Sequence, residues 1–280
     1  MINEKFAIFI LSHGRPNKIK TLKLLSKSGY TGKTYIIIDD EDKLGDEYIK
    51  NFGDSVIMFS KAEIEKKIDT GDNFGDRRTI LHARNACFDI ASDLGLDYFL
   101  ELDDDYDSFV FKKFNGLQKS KDLKSIDNVI NLFVEFLKNT EVKTIAFSQN
   151  GDHIGGENDH LLTEFKRKAM NSFFCKTDRR FWFRGTFNED VNTYTELGKV
   201  GNIFITIPQI SLHQAQTQTN KGGITDIYKK YGTYVKSAYT VMRNPASVKI
   251  GMIGPVDLRI HHHISWKHTV PAIIREEFRK

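Results

Sequence analysis

Cysteine, proline and tryptophan are scarce in this chain, with two, five and two residues respectively among 280. Cys87, in a helical stretch, and Cys175, in an aromatic one, supply neither a disulfide framework nor a zinc pattern, which fits a reducing compartment. There is no low-complexity tract and no internal period, so a Pro-rich linker and a solenoid are both excluded. No apolar run approaches the ~20 residues of a bilayer span. Met1–Lys5 followed by Phe6–Leu11 reads as a short strand rather than a signal peptide, and a cytoplasmic protein without a membrane partner is expected.

At 40% hydrophobic residues the chain can bury one large α/β domain, with or without an appendage. Its net charge of +4 is unevenly spread, because residues 221–280 carry eleven Lys and Arg against four Asp and Glu, a net of +7, leaving −3 on residues 1–220. A basic end beside an acidic domain suits a polyanionic partner, or is simply a solvated surface.

Apolar strands alternate with helical patterns over the first hundred residues. Phe6–Leu11, Thr34–Ile38, Val56–Phe59 and Tyr98–Leu102 read as strands. Ile19–Leu25, Glu47–Phe52 and Ile80–Leu94 read as helices, the last capped by Gly95. That alternation predicts a doubly wound parallel sheet. Beyond residue 105 the pattern predicts strands at Phe109–Phe114, Thr144–Phe147, Asn171–Lys176 and Ile203–Ile207. Helices are expected at Ile126–Leu137 and Ile224–Val241, with a mobile loop at residues 151–158.

The most informative stretch is residues 81–107, LHARNACFDIASDLGLDYFLELDDDYD. It reads as a helix, then an apolar strand that ends in Asp103, Asp104 and Asp105. Ligands of open α/β sheets bind outside the carboxyl ends of the strands, so these carboxylates face a crevice. Adjacent carboxylates repel unless a cation lies between them, and oxygen ligands at i and i+2 suit Mg²⁺ or Mn²⁺ that also bridges a phosphate. Upstream, the turn Ser12-His13-Gly14-Arg15 offers backbone N–H groups and a guanidinium to an anion, although it is no P-loop.

This segment resembles the GT-A glycosyltransferases, whose DxD motif follows a buried strand and binds a metal and a nucleotide-sugar diphosphate. Ala83-Arg84-Asn85 is similar to the "ARN" segment of family-2-like members. The resemblance implies a GT-A-like doubly wound mixed sheet over residues 1–220 and a mostly polar, basic extension over 221–280 that completes the active site or binds DNA. It also implies Mn²⁺ or Mg²⁺ on Asp103 and Asp105 and a UDP-sugar donor held by Ser12, Arg15, Asp39, Arg84, Asp103 and Asp104. A C-terminal histidine, His262 or alternatively His213, would complete the metal site. Asp39 resembles the position that contacts nucleobase or ribose, and is equally read as a strand-end turn. Arg77 and Arg78 are candidates for a diphosphate or DNA. Asn188-Glu189-Asp190 resembles the acidic pair that supplies the base in inverting members, with Asp190 preferred over Glu189; first-turn acidic residues are also ordinary helix capping.

The run RRFWFRGTF, residues 179–187, interleaves arginine with Phe181, Trp182 and Phe183, as a base- or sugar-stacking surface or a half-buried strand would. QTQTNKGGITDIYKKYGTYVKSAYTVM and VKIGMIGPVDLRIHHHISWKHTVPAII resemble the phage-encoded glycosyltransferases found beside TET-type oxygenases, which glycosylate hydroxymethylated pyrimidines in DNA. By that resemblance Gln216, Lys221, Gly222 and Gly223 line the donor sugar or acceptor base, DNA is the acceptor, and the protein works in the host cytoplasm. A transferase acting on glycan or protein, a nucleotidyltransferase using Asp39, Asp103 and Asp105, and a non-catalytic DNA-docking fold are the alternatives.

Overall fold

Six consecutive buried residues, Phe6–Leu11, form β1 at the heart of the sheet. Phe6, Ile8 and Ile10 face one hydrophobic cluster and Ala7, Phe9 and Leu11 the other, so the period-2 pleat feeds two cores at once. The structure, a computed structural model, describes residues 4–72, 75, 77–114, 118–149, 168–214, 232, 234–254 and 259–271.

Strands β2 (Lys33–Asp39) and β4 (Tyr98–Asp103) flank β1 in parallel, with β3 (Val56–Phe59) beyond β2. The helices divide between the two faces. Helix α1 (Lys20–Lys27) contributes Leu24 and Leu25 to the first cluster, and Tyr48 of α2 (Gly45–Phe52) joins them. A short α3 (Lys61–Glu65) and α4 (Leu81–Asp93) build the second cluster through Ile64, Leu81, Cys87, Phe88 and Ala91. The order β3-β2-β1-β4 is doubly wound, and the chain reverses direction across the sheet between β1 and β4.

Only Asp104 and Asp105 separate β4 from β5 (Tyr106–Phe114), too few for the crossover that a parallel neighbour needs. The second half is accordingly mixed. After β6 (Gln118–Asp122) and α5 (Ile126–Lys138) come β7 (Thr144–Gln149), β8 (Ser172–Lys176), α6 (Glu189–Gly198) and β9 (Phe204–Gln214). Strand β8 runs antiparallel to both β4 and β7, and β5 joins antiparallel to β9, completing a nine-stranded mixed sheet. Helix α7 (Tyr234–Arg243) and an antiparallel hairpin of β10 (Val248–Ile253) and β11 (Arg259–Ile264) follow.

The α/β architecture matches the sequence pattern, with informative departures. The strand expected at Ile203–Ile207 runs on to Gln214, because the register with β7 shifts after Ile207 and accommodates Pro208. Strand β6, QKSKD, has no apolar alternation to announce it; it is a lysine-bearing sheet edge. The helix expected from Ile224 is seen from Tyr234, and residues 224–231, like the loop at 151–158, lie outside the described residues.

In the arginine-aromatic run at 179–187 the phenylalanines pack inward, while Trp182 is half-buried and Arg184 exposed. Phe181, Phe183 and Phe187 are buried. Arg180 covers the Trp182 ring at 4.0 Å and pairs with Asp89, Arg179 donates to the carbonyls of Leu137 and Val142, and Arg184 pairs with Glu196. Among the described residues, no helix is long and apolar enough to cross a membrane.

Candidate active site

The carboxyl ends of β1, β2 and β4 meet where the strand order reverses, and Leu11 lies in register with Asp103. Ser12 Oγ donates to Asp104 Oδ2 at 2.6 Å and lies 2.7 Å from the Tyr48 hydroxyl. Arg15 Nη1 donates to the other Asp104 oxygen at 2.8 Å, and the Arg15 N–H donates to the Tyr48 hydroxyl. Gly14, at φ +68°, turns the chain so that its N–H reaches Asp42 Oδ2 at 2.7 Å. Asp104 thus ties the β1 turn to the end of β4, with both oxygens taken by Ser12 and Arg15.

At the end of β2, Asp39 accepts from His13 Nδ1 at 2.7 Å and from the buried Lys61 Nζ at 2.8 Å. Burial alone would raise the Asp39 pKa, but the hydrogen bonds from His13 and Lys61 hold it at about 2; the same contact raises His13. Arg77 is engaged with Glu41 and Glu65 at the rim.

Behind the aspartates lies a charge cluster built by strand alternation. Phe99, Glu101 and Asp103 share one face of β4, the face that α4 covers, so two carboxylates point into an apolar layer. Arg84 of α4, 2% exposed, meets them. Its Nε donates to Glu189 Oε1 at 3.0 Å, its Nη2 to Asp103 Oδ1 at 3.3 Å, and its Nη1 lies 3.6 Å from Glu101 Oε2, while the guanidinium sits 4.6 Å over the Phe173 ring. Neither Glu101 oxygen has a hydrogen-bond partner among the described residues. Burial pushes Glu101 up to about 8, against the opposing pull of Arg84. Asp103 is raised to about 7 by burial and by repulsion from Asp105 and Asp104, again against Arg84. One guanidinium faces three carboxyl groups, so near neutral pH burial keeps a proton largely on Glu101 and partly on Asp103, and a further cation at the end of β4 would favour their ionised forms.

Across the crevice, α6 begins with Glu189 and Asp190. Asp190, 7% exposed, accepts from the Val191 N–H at 2.7 Å. Burial, then the neighbouring Glu189 charge, raise its pKa to about 7. Asn188 precedes them at φ 50°, ψ 48°, a left-handed conformation that asparagine tolerates better than most residues. Its amide donates to the Lys236 carbonyl at 3.1 Å and to Thr240 Oγ1 at 2.9 Å on α7.

Helix α7 also fixes the preceding loop. The Tyr239 hydroxyl accepts from the Thr186 N–H at 3.0 Å and lies 2.7 Å from both the Thr70 carbonyl and Asp72 Oδ2, which also accepts from Thr186 Oγ1. Gly185, at φ +87°, lies where a Cβ would come within 2.9 Å of the Tyr239 ring. Tyr239→Phe strips this junction of its shared oxygen and is expected to cost about 1–3 kcal/mol, read as a lower urea midpoint.

Asp105 accepts from Gln214 Nε2 at 3.0 Å. Next to Gln214 on β9 is His213, whose Nε2 is buried and has no partner among the described residues. His262 sits elsewhere: its Nδ1 is 3.4 Å from the Asn188 amide and its ring stacks on His261 at 4.3 Å, contacts that do not bring it to Asp103 or Asp105. Burial lowers its pKa to about 3, helped by His261 and Lys236. Lys221, Gly222, Gly223 and Gln216 lie outside the described residues. Sequence patterns passed over Glu101, Tyr48, Lys61 and His13. The first was visible in the alternation Phe99-Glu101-Asp103; the others have no local signal.

An acidic crevice at the reversal point of a doubly wound sheet, faced by an acidic helix start, is the layout of an α/β transferase. Residues 6–223 match the TET-associated glycosyltransferase family, and the chain belongs to it. The protein is a glycosyltransferase. No curated protein matches the sequence. Among solved structures it is similar to glucosyl-3-phosphoglycerate synthase from Mycobacterium tuberculosis in complex with Mn²⁺, UDP and phosphoglyceric acid, with 8% identity, 94% of this chain and 90% of that chain covered, and a TM-score of 0.44. The same enzyme with Mn²⁺, UDP-glucose and phosphoglyceric acid gives 9% identity over 94% and 90%, at a TM-score of 0.45. A further mycobacterial protein gives 11% over 92% and 83%, also at 0.45.

Proposed function

We propose that this glycosyltransferase moves a sugar from a UDP-sugar to the hydroxymethyl group of 5-hydroxymethylcytosine or 5-hydroxymethyluracil in DNA, with Mn²⁺ or Mg²⁺ as cofactor, in the cytoplasm of a phage host. The observation that carries the chemistry is the excess of carboxyl groups over guanidinium at the end of β4, opposite Asp190 held near neutrality. The family's association with TET-type oxygenases supports the acceptor, since such enzymes supply hydroxymethylated bases. The basic segment after residue 220 suits a polyanion.

Among the described residues no group of three or more His, Cys, Asp and Glu side chains would hold a metal by itself. A divalent ion shared with a substrate diphosphate needs only one or two protein carboxylates. Asp103 and Asp105 fit that donor set, with Asp105 already accepting from Gln214, and neither His213 nor His262 joins them as a third ligand among the described residues. When bound, the ion neutralises charge on the departing diphosphate. Arg84 orients Asp103 and Glu189 from behind rather than touching the donor. Asp39, kept ionised by His13 and Lys61, accepts hydrogen bonds from the nucleoside. Asp190 takes the hydroxymethyl proton as that oxygen bonds to the anomeric carbon and the bond from that carbon to the diphosphate breaks, so the anomeric centre inverts.

The test is to incubate the protein with Mn²⁺, a panel of nucleotide sugars and DNA carrying either modified base, then digest and weigh the nucleosides. A hexose or pentose added to the modified nucleoside is expected, with Asp103→Asn and Asp105→Asn each reducing turnover by about 10²-fold or more. Transfer only to glycan or protein would reject the acceptor, and release of pyrophosphate in place of nucleoside diphosphate would reject the reaction.

A further inference from the structure

The hairpin β10–β11 contributes nothing to the steps above, yet it abuts the catalytic loop. Residues 244–254 and 259–271 contain no Asp or Glu, while they carry Lys249, Arg259, Lys267 and the histidines 261, 262, 263 and 268. In the hairpin register Met252 opposes Ile260, Ile250 opposes His262 and Lys249 opposes His263. Directly opposed residues share a face, so Ile250, Met252 and Ile260 line one side with His262, and Lys249 and His263 the other. Ile250 and Met252 are each 52% exposed and Ile260 is 43% exposed. At its base the ribbon is firmly seated: Val248 is buried, the Ser265 N–H donates to the Ser247 carbonyl at 2.7 Å, and Ser247 Oγ donates to the His268 carbonyl at 2.9 Å. Through His262 it touches Asn188, the residue that precedes Glu189 and Asp190.

Two-stranded ribbons dock in DNA grooves, the minor groove included, and the strands Val248–Ile253 and Arg259–Ile264 carry no carboxylate to repel phosphate, Asp257 lying in the sequence between them. Exposed Met and Ile, here on the face of the ribbon opposite Lys249, are side chains of the kind that minor-groove proteins wedge between base steps. We infer that the β10–β11 hairpin is the element with which the enzyme grips duplex DNA, with Lys249 and, in the turn that follows β11, Lys267 on phosphates, and Met252 and Ile260 pressed into the base step beside the extruded pyrimidine. This rests on DNA being the acceptor. The wedge takes the place of the stacking that the target base loses when it swings toward Asp190.

Two variants of the full chain test it, Lys249→Gln/Lys267→Gln and Met252→Ser/Ile260→Ser, with thermal melting as the control for folding. On a labelled 20-base-pair duplex carrying 5-hydroxymethylcytosine, the lysine pair is expected to weaken binding about tenfold at low salt. It should also flatten the slope of log affinity against log salt by about 1.8, or 0.9 per lost phosphate contact. The Met/Ile pair is expected to lower turnover on the duplex about tenfold while leaving a single-stranded oligonucleotide with the same base unaffected, because that base needs no extrusion. If the unaltered enzyme binds and modifies duplex but the lysine pair keeps its affinity and slope, the hairpin grip is overturned while the DNA acceptor stands. Equal loss on duplex and single-stranded oligonucleotide by the Met/Ile pair, or no loss on duplex, overturns the wedge. Failure of the unaltered enzyme to bind or modify any DNA removes the acceptor assignment itself.

Discussion

Arg84→Met is expected to destabilise the protein by about 3–5 kcal/mol at pH 8 and by much less at pH 5. The guanidinium is the shared partner of Glu101, Asp103 and Glu189; it and Glu101 sit out of water, while Asp103 and Glu189 keep a small exposed edge. Removing it leaves buried carboxylates whose ionised forms have lost their counter-charge. Already in the native protein, Glu101 at about 8 and Asp103 at about 7 lie above their ordinary values of 4.5 and 3.8. Over that window the folded state binds more protons than the unfolded chain, so stability falls as pH rises from about 4 to 8. Arg84 pulls both values down, and the variant therefore raises them further and steepens the fall. Urea unfolding at pH 5 and pH 8 reads the difference. Adding Glu101→Gln to the variant should return part of the loss at pH 8, since it deletes one of the stranded charges. A loss independent of pH would mean that Arg84 acts chiefly through its packing over Phe173.

Asp190→Asn is expected to lower kcat by about 10²–10⁴-fold with donor binding unchanged. The side chain is buried at the start of α6, and burial together with Glu189 lifts its pKa to about 7. A general base works only when deprotonated, so kcat/KM of the native enzyme should climb with pH and level off above about 7. Glu189→Gln should act differently. Glu189 is held by Arg84, so its loss disturbs stability and the position of Asp190 more than the proton transfer itself. If Asp190→Asn keeps full turnover and Glu189→Gln abolishes it, the base is Glu189.

Much of the parallel half of the fold was legible because its signals are local. Phe6–Leu11 and Tyr98–Leu102 are apolar runs of strand length, and both lie in the sheet. The placement of Asp103 at a strand's carboxyl end followed from the same run. The second half was harder to read. Strand β6 has no apolar face, and β9 carries a proline in its middle, so neither obeys the pattern that composition alone would follow.

Sequence by itself determined the α/β alternation, the acidic strand end, the acidic helix start at Glu189 and Asp190, and the basic bias of the last sixty residues. All of these are properties of neighbouring residues, and hydrophobic period and charge are read without knowing what lies across the sheet. The tertiary structure alone decided that Arg84 would clasp Glu189, 105 positions away, and that Asp39 would share its charge with His13 and Lys61. It also turned the phenylalanines of the arginine-aromatic run inward and stood the histidine hairpin against Asn188. Those outcomes depend on strand order and register, which bring distant side chains within hydrogen-bond reach. Once buried, a charged group must find whatever partner the packing places beside it.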